Sequence, residues 1–165
     1  MIHNSQLFCT FKPMETLNLP PASLRLSERD GHPYVFDPLR RRHVRLTPEE
    51  WVRQHFVHFL VQQLDYPLAL LANEVSLSLN GTSKRCDTVV YDREARPLVI
   101  VEYKAPDVQL TQRVFDQIAR YNVVLRVPWL IVSNGMQHFC LRVDYEHNRC
   151  EFMAQIPSYE MLREE

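Results

Sequence analysis

Apolar residues recur through residues 47–64 with the period of a buried helix. Thr47-Pro48-Glu49-Glu50 opens the segment, and Val52, Phe56, Phe59, Leu60 and Leu64 follow on one face. Thr47 suits the N-cap and Pro48 the first helical position, where a missing N–H costs nothing. Glu50, three residues after the cap, completes a capping box. Asp65-Tyr66-Pro67 ends the helix, and the period then changes to two. Residues 74–79 alternate polar and apolar, as a half-buried strand does, and Asn80-Gly81 turns the chain. Residues 87–92 and 98–104 predict two further strands around a turn at 93–96. A second helix is predicted from about Val108 to Arg126, with Val114, Ile118, Tyr121 and Leu125 on one face. Residues 129–133 form a short apolar strand, Asn134-Gly135 a hairpin signal into 137–143, and residues 150–153 a last strand.

Upstream, residues 34–36 and 43–46 flank Asp37-Pro38-Leu39-Arg40 as a hairpin or an extended arm. Residues 1–31 read as irregular. Helix, three-strand meander, helix, strand and hairpin predict an α/β fold. A mixed sheet covered on both faces would form one domain over residues 32–165.

Composition narrows the partners. A net charge of −1 in 165 residues excludes a bulk basic field. The charge is uneven, however: Arg40, Arg41, Arg42, His43 and Arg45 cluster, and Lys84-Arg85 lie just before Asp87. Such a patch could serve a polyanion or be a solvated turn. No apolar run approaches the ~18 residues a membrane span needs, so no membrane partner is expected. Cys9, Cys86, Cys140 and Cys150 are scattered without a C-x-x-C pair, which suits a reducing, cytoplasmic setting.

The stretch Leu98-Val99-Ile100-Val101-Glu102-Tyr103-Lys104 carries the chemistry. Alternation puts Glu102 and Lys104 on one face and Val101 and Tyr103 on the other. A turn at 93–96 would set Asp92 against Pro97 and, counting back, Asp87 opposite Glu102. A one-residue slip would undo that pairing. Two carboxylates ~5 Å apart repel by about 3 kcal/mol at an effective dielectric near 20. A shared proton or a cation must offset this. Magnesium fits, because it takes one or two carboxylates and completes its shell with waters and phosphates. An ordinary Glu102–Lys104 ion pair on an edge strand is the competing reading. The two-sided apolar run 98–101 favours a central strand, where two charges are rarely placed without a purpose. His55 and His58 lack a third metal ligand. Tyr103, Tyr121 and Trp129 have the chemistry to stack on bases, although aromatics at these spacings are usually core.

Asp87, then fourteen residues, then Glu102-Tyr103-Lys104, followed by Gln117-x-x-x-Tyr121, resembles the PD-(D/E)xK nuclease superfamily. Together with 47–54, 84–92, 115–122 and Ser133-Asn134-Gly135, the pattern resembles the N-terminal domain of type I restriction enzyme R subunits, in particular their short stand-alone relatives, over residues 32–157. The resemblance implies a restriction-endonuclease-like three-layer α/β/α core and hydrolysis of DNA phosphodiesters with Mg²⁺, or Mn²⁺ in its place. It implies that Asp87 and Glu102 bind the metal and that Lys104 positions or activates the attacking water. Gln117 and Tyr121 would reach the site from the next helix. Glu50 matches the helical carboxylate of the superfamily, with the capping box as its other explanation. Arg40, Arg41, Arg42, Arg53, Lys84 and Arg85 are the candidate DNA contacts. A motor or specificity subunit, or a second copy, would be the protein partner. Cys86 stands where the superfamily usually has Pro. No G-x-x-x-x-G-K-[ST] loop occurs in this sequence, so ATP-driven translocation is not expected of it. The alternative is a module that keeps the fold and binds nucleic acid or a partner without cutting.

Overall fold

The computed structural model describes residues 14–163. Cys9, and the reading of residues 1–13 as irregular, lie outside them. A three-stranded antiparallel arm comes first, from β1 (Leu26–Arg29), β2 (His32–Asp37) and β3 (Arg42–Arg45). Helix α1 (Pro48–Gln63) follows. The main sheet then begins with β4 (Leu71–Leu79), β5 (Thr82–Tyr91) and β6 (Pro97–Tyr103). Helix α2 (Gln112–Leu125) leads to β7 (Trp129–Ser133), β8 (His138–Asp144) and β9 (Arg149–Met153). The six strands stand side by side in chain order. Only β6 and β7 run parallel, because the α2 crossover separates them; the other neighbours are antiparallel.

One helix covers each face of this mixed sheet, which gives the expected three layers. Val52, Phe56, Val57 and Leu60 of α1 pack with Val90, Val99, Val101, Tyr103 and Ile131. Val114 and Ile118 of α2 pack on the opposite face with Cys86, Val89, Ile100, Leu130 and Val132. Burial on both faces explains why β6 and β7 read as unbroken apolar runs rather than alternating ones. Tyr103 is fully buried and its hydroxyl donates to Thr88 Oγ1 at 3.0 Å, so it is a core residue and not a base-stacking one. Trp129 is buried as well.

Three local expectations change. Residues 26–29, within the stretch expected to be irregular, form β1. Asp30 and Gly31, with φ of 51° and 74°, make the tight turn into β2. Helix α2 starts at Gln112 rather than 108, since Val108 N–H closes a turn onto Ala105 O (3.0 Å). At the β5–β6 hairpin, Pro97 faces Tyr91 instead of Asp92. The register then shifts, so that Val99 faces Val90 and Leu98 is the extra residue. The bulge leaves Thr88 facing Val101, as the sequence count gives, and the ladder ends there, one step short of Asp87 and Glu102.

The β7–β8 hairpin fixes the edge of the α1 layer. Gly135 has φ of 82°, and a Cβ there would stand 2.8 Å from Leu17 Cδ2 and 3.1 Å from Val52 Cγ2. Gly135→Ala combines backbone strain with a clash against two packed side chains. It should lower stability by about 1–3 kcal/mol, measured as a reduced midpoint in thermal or urea unfolding. An unchanged midpoint would mean that the hairpin yields without cost.

Candidate active site

Strand β6 is buried from Val99 onward and ends in Glu102 and Tyr103, with Lys104 the next residue. Glu102 is only 3 % exposed. Alternation turns Tyr103 into the α1-side core and leaves Glu102 and Lys104 on the α2 side. There Gln117 of α2 donates from Nε2 to Glu102 Oε1 at 2.7 Å. Lys104 Nζ donates to the same oxygen at 3.1 Å and to Gln117 Oε1 at 3.3 Å. The Tyr121 hydroxyl, one helical turn on, accepts from Gln117 Nε2 at 3.2 Å. The Lys104 backbone N–H is tied to Ser133 O of β7 at 2.9 Å, which holds the strand end in place. Asp87 Oδ2 accepts the Tyr103 N–H at 2.8 Å, and Asp87 Oδ1 pairs with Arg53 of α1 at 2.9 Å. The predicted trio Asp87, Glu102 and Lys104 and the helical pair Gln117 and Tyr121 thus converge.

The electrostatics are those of buried negative charge. Burial, and then the charge of Asp87, push the Glu102 carboxyl up to about 8. Burial raises Asp87 too, against the pull of Arg53 and the Tyr103 N–H. Burial works against the Lys104 ammonium, but the Glu102 carboxylate outweighs it and holds the amine above its ordinary value. Lys104 therefore stands at neutral pH as a fixed positive charge, not as a base.

Glu50 is placed differently from the sequence expectation. Its N–H donates to Thr47 Oγ1 at 3.1 Å, the N-cap contact. Its carboxylate accepts from Arg40, from Arg53 (2.9 Å) and from Gln54 (2.9 Å). Three donors thus engage it within the structure, two on Oε1 and one on Oε2. The neighbouring Glu49 is half-buried, and its carboxyl is raised by burial and then by the charge of Asp87, with Lys104 and Arg53 also within its field. The superfamily resemblance marks Glu50 as the helical carboxylate, with the capping box as its other explanation, and the N-cap contact with Thr47 is formed.

The basic candidates divide as well. The Arg53 side chain is 4 % exposed and engaged by Glu50, Glu74 and Asp87, so it cannot reach a phosphate. Arg40 is paired with Asp37 and Glu50. Arg41, Arg42, Lys84 and Arg85 stay exposed, the last in a 3.4 Å contact with Glu74. A cleft of about 470 Å³ opens between β3 and the start of α1, with Arg42 and Arg45 on one wall and Glu49, Glu74 and Arg53 on the other. His55 Nδ1 faces Trp51 O at 2.9 Å and its ring meets the Trp51 ring edge-on, a structural role.

Whether the residues fit a divalent cation turns on one atom. Glu102 Oε2 is buried and has no hydrogen-bond partner among the described residues. Once ionised, a carboxylate oxygen left bare beside a second carboxylate is costly unless a proton or a cation meets it. In this cluster Asp37, Glu49, Glu50, Glu74, Asp87 and Glu102 face Arg40, Arg53 and Lys104, with the exposed Arg85 reaching Glu74 at 3.4 Å. The excess is negative. No group of three or more His, Cys, Asp or Glu side chains among the described residues is arranged to hold a metal ion. Asp87 and Glu102 are two carboxylates, the number from which a hard cation such as Mg²⁺ can be held when waters complete its shell.

Residues 48–157 match the family described as the type I restriction enzyme R protein N terminus (HSDR_N). Among solved structures, the chain is similar to a fragment described as an HsdR subunit of a type I restriction enzyme from Vibrio vulnificus YJ016. The two share 17 % identity at a TM-score of 0.55, over 72 % of this chain and 25 % of that one. This chain thus spans about a quarter of that protein, and the likeness supports the fold. A DUF820 protein from Anabaena variabilis ATCC 29413, described as a nuclease, shares 13 % identity at a TM-score of 0.44, over 80 % of this chain and 84 % of that one; a likeness so distant carries no argument. No curated protein matches the chain.

The raised carboxyls make a pH prediction. A carboxyl whose folded pKa lies above its unfolded value favours folding while protonated, and that contribution is lost as pH climbs through the folded pKa. Glu102, Asp87 and Glu49 share this sign. The metal-free protein should melt at progressively lower temperature from about pH 5 to above the Glu102 value of about 8. Glu102→Gln should flatten the profile, as followed by circular dichroism. His55 and His138, which burial lowers, act in the opposite sense below about pH 6.5, so the decisive quantity is the difference between wild type and Glu102→Gln, and a difference that does not change with pH would contradict the placement of Glu102.

Proposed function

We propose, because the chain belongs to the family of type I restriction enzyme R protein N termini, that this domain is a Mg²⁺-dependent nuclease hydrolysing DNA phosphodiesters in the cytoplasm. The observation that carries the reading is the bare, buried Glu102 Oε2, flanked by Asp87, Lys104 and Gln117. Asp87 and Glu102 would hold the ion, with Glu49 beside them. When bound, it supplies Lewis-acid polarisation of the phosphate and a more acidic attacking water.

The chain's own residues do the rest. Gln117 and Lys104 both engage Glu102 Oε1, which orients the carboxylate and leaves Oε2 free. Lys104, held protonated and 21 % exposed, keeps its charge at the site's edge, where it orients the attacking water and stabilises charge developing on the phosphate. Tyr121 limits the swing of Gln117. The duplex would approach over Arg41, Arg42, Lys84 and Arg85, which are exposed around the cleft mouth and on the strand leading to Asp87. A motor or specificity subunit, or a second copy, is the protein partner this reading allows.

Plasmid nicking in Mg²⁺ tests the assignment. Lys104→Ala should lower the rate by roughly 10²–10³ fold while the protein keeps its fold by circular dichroism. Glu102→Ala should abolish nicking. A fully active Lys104→Ala would sink the assignment. Retained DNA binding that needs no metal and weakens steeply with salt, without nicking under any condition, would favour a binding module on the same scaffold.

In the same assay Glu49→Ala should reduce nicking at least tenfold with little loss of stability. Glu50→Ala strips three buried donors of their acceptor and should cost about 3–5 kcal/mol in urea unfolding. The reverse pattern would return the helical role to Glu50.

A further inference from the structure

Arg53 is the most heavily engaged charged side chain that the chemistry above does not use. It lies on α1 beneath the site, with Nη1 2.9 Å from Glu50 Oε2 and Nη2 2.7 Å from Glu74 Oε1 and 2.9 Å from Asp87 Oδ1. Its guanidinium carbon stands 5.8 Å from the centroid of the Tyr103 ring. The strand that delivers Glu74 is deformed at that residue. The β4–β5 ladder pairs Asn73 with Thr88 and Val75 with Cys86 but leaves out Glu74 and Asp87, which stand between them. Glu74 takes a φ of 58°, unusual for a residue with a side chain. Irregularities of this kind re-aim side chains and collect beside functional sites. Here the result is a guanidinium clasped by Glu50 and Glu74 and pressed against one oxygen of Asp87, while the Tyr103 N–H holds the other.

We infer that Arg53 is a positioning residue for the proposed metal site: it fixes the direction of the Asp87 carboxylate from behind, so that Asp87 and Glu102 meet one divalent cation. Each Asp87 oxygen has one of its two acceptor positions engaged and one to give. Glu50 and Glu74 keep the guanidinium in place, so it steadies Asp87 without closing over it. Only a planar fork meets three carboxylates at once, and a lysine ammonium carries the charge without that geometry. The inference rests on the nuclease reading of the site and adds the residue that orders one of its ligands.

The test is calorimetric titration with Mn²⁺ of the wild type, Arg53→Lys and Glu74→Gln. Melting curves and steady-state nicking accompany each titration. Arg53→Lys should stay folded and bind Mn²⁺ roughly 10–100-fold more weakly. Its kcat should fall and its KM for DNA should stay unchanged, because no DNA contact has been removed. Glu74→Gln loosens the clasp without touching Arg53 or Asp87, and should weaken Mn²⁺ binding in the same direction by a smaller factor. This second variant decides the matter if Arg53→Lys does not fold. Wild-type Mn²⁺ affinity in either folded variant overturns the positioning role and leaves the nuclease reading standing. A wild type that binds no Mn²⁺ overturns the nuclease reading itself, and this inference with it.

Discussion

The structure depends on keeping a carboxylate ionisable inside a sheet. Glu102 follows four apolar residues on a strand enclosed on both faces, where an unpaired charge is strongly disfavoured. Almost every polar feature nearby answers that constraint. Helix α2 supplies Gln117 and Tyr121, β6 itself supplies Lys104, and α1 supplies Arg53 to the neighbouring Asp87. What stays uncompensated is one oxygen of Glu102 and a local excess of negative charge.

The arm takes part in the same arrangement. Asp37, fully buried at the end of β2, accepts from the Leu39 N–H, from Arg40 and from Asn73 Nδ2. Asn73 accepts from Thr88 at 2.6 Å, and Thr88 accepts from the Tyr103 hydroxyl at 3.0 Å. A second route runs from Arg40 through Glu50 and Arg53 to Asp87. Both routes end on residues beside Glu102. Buried polar chains of this kind favour one geometry, and here they link the arm that carries the exposed Arg41 and Arg42 to the residues around Glu102. An arm that reads in sequence as a basic turn is in three dimensions a rigid rim of the cleft.

Much of this was legible in the sequence, and what was not has definite causes. The strands and helices of the main sheet follow from periodicities of two and 3.6, and the order of helices and strands implied the three layers. The pairing of Asp87 with Glu102 was reached by counting across a turn that the protein does not make; the bulge at Leu98 cancelled the error. Glu50 matches the superfamily's helical carboxylate in sequence, and sequence does not show that Arg40, Arg53 and Gln54 converge on it. Arg53 looked like a phosphate contact because sequence shows its charge and not its burial. Strand β1 was missed although Asp30-Gly31 carries a hairpin signal, since its four residues are mostly exposed and show little alternation. The left-handed Glu74 and the interrupted ladder beside it leave no trace in residue type.

The central claim is that Asp87 and Glu102 together form a binding site for one divalent cation. Anomalous diffraction from crystals of the protein grown with Mn²⁺ tests it most directly. The account predicts a single strong peak shared by the two carboxylates, at roughly 2.1 Å from Glu102 Oε2, with Lys104 still on Glu102 Oε1. A peak elsewhere, or none at a Mn²⁺ concentration at which DNA is cleaved, would contradict it.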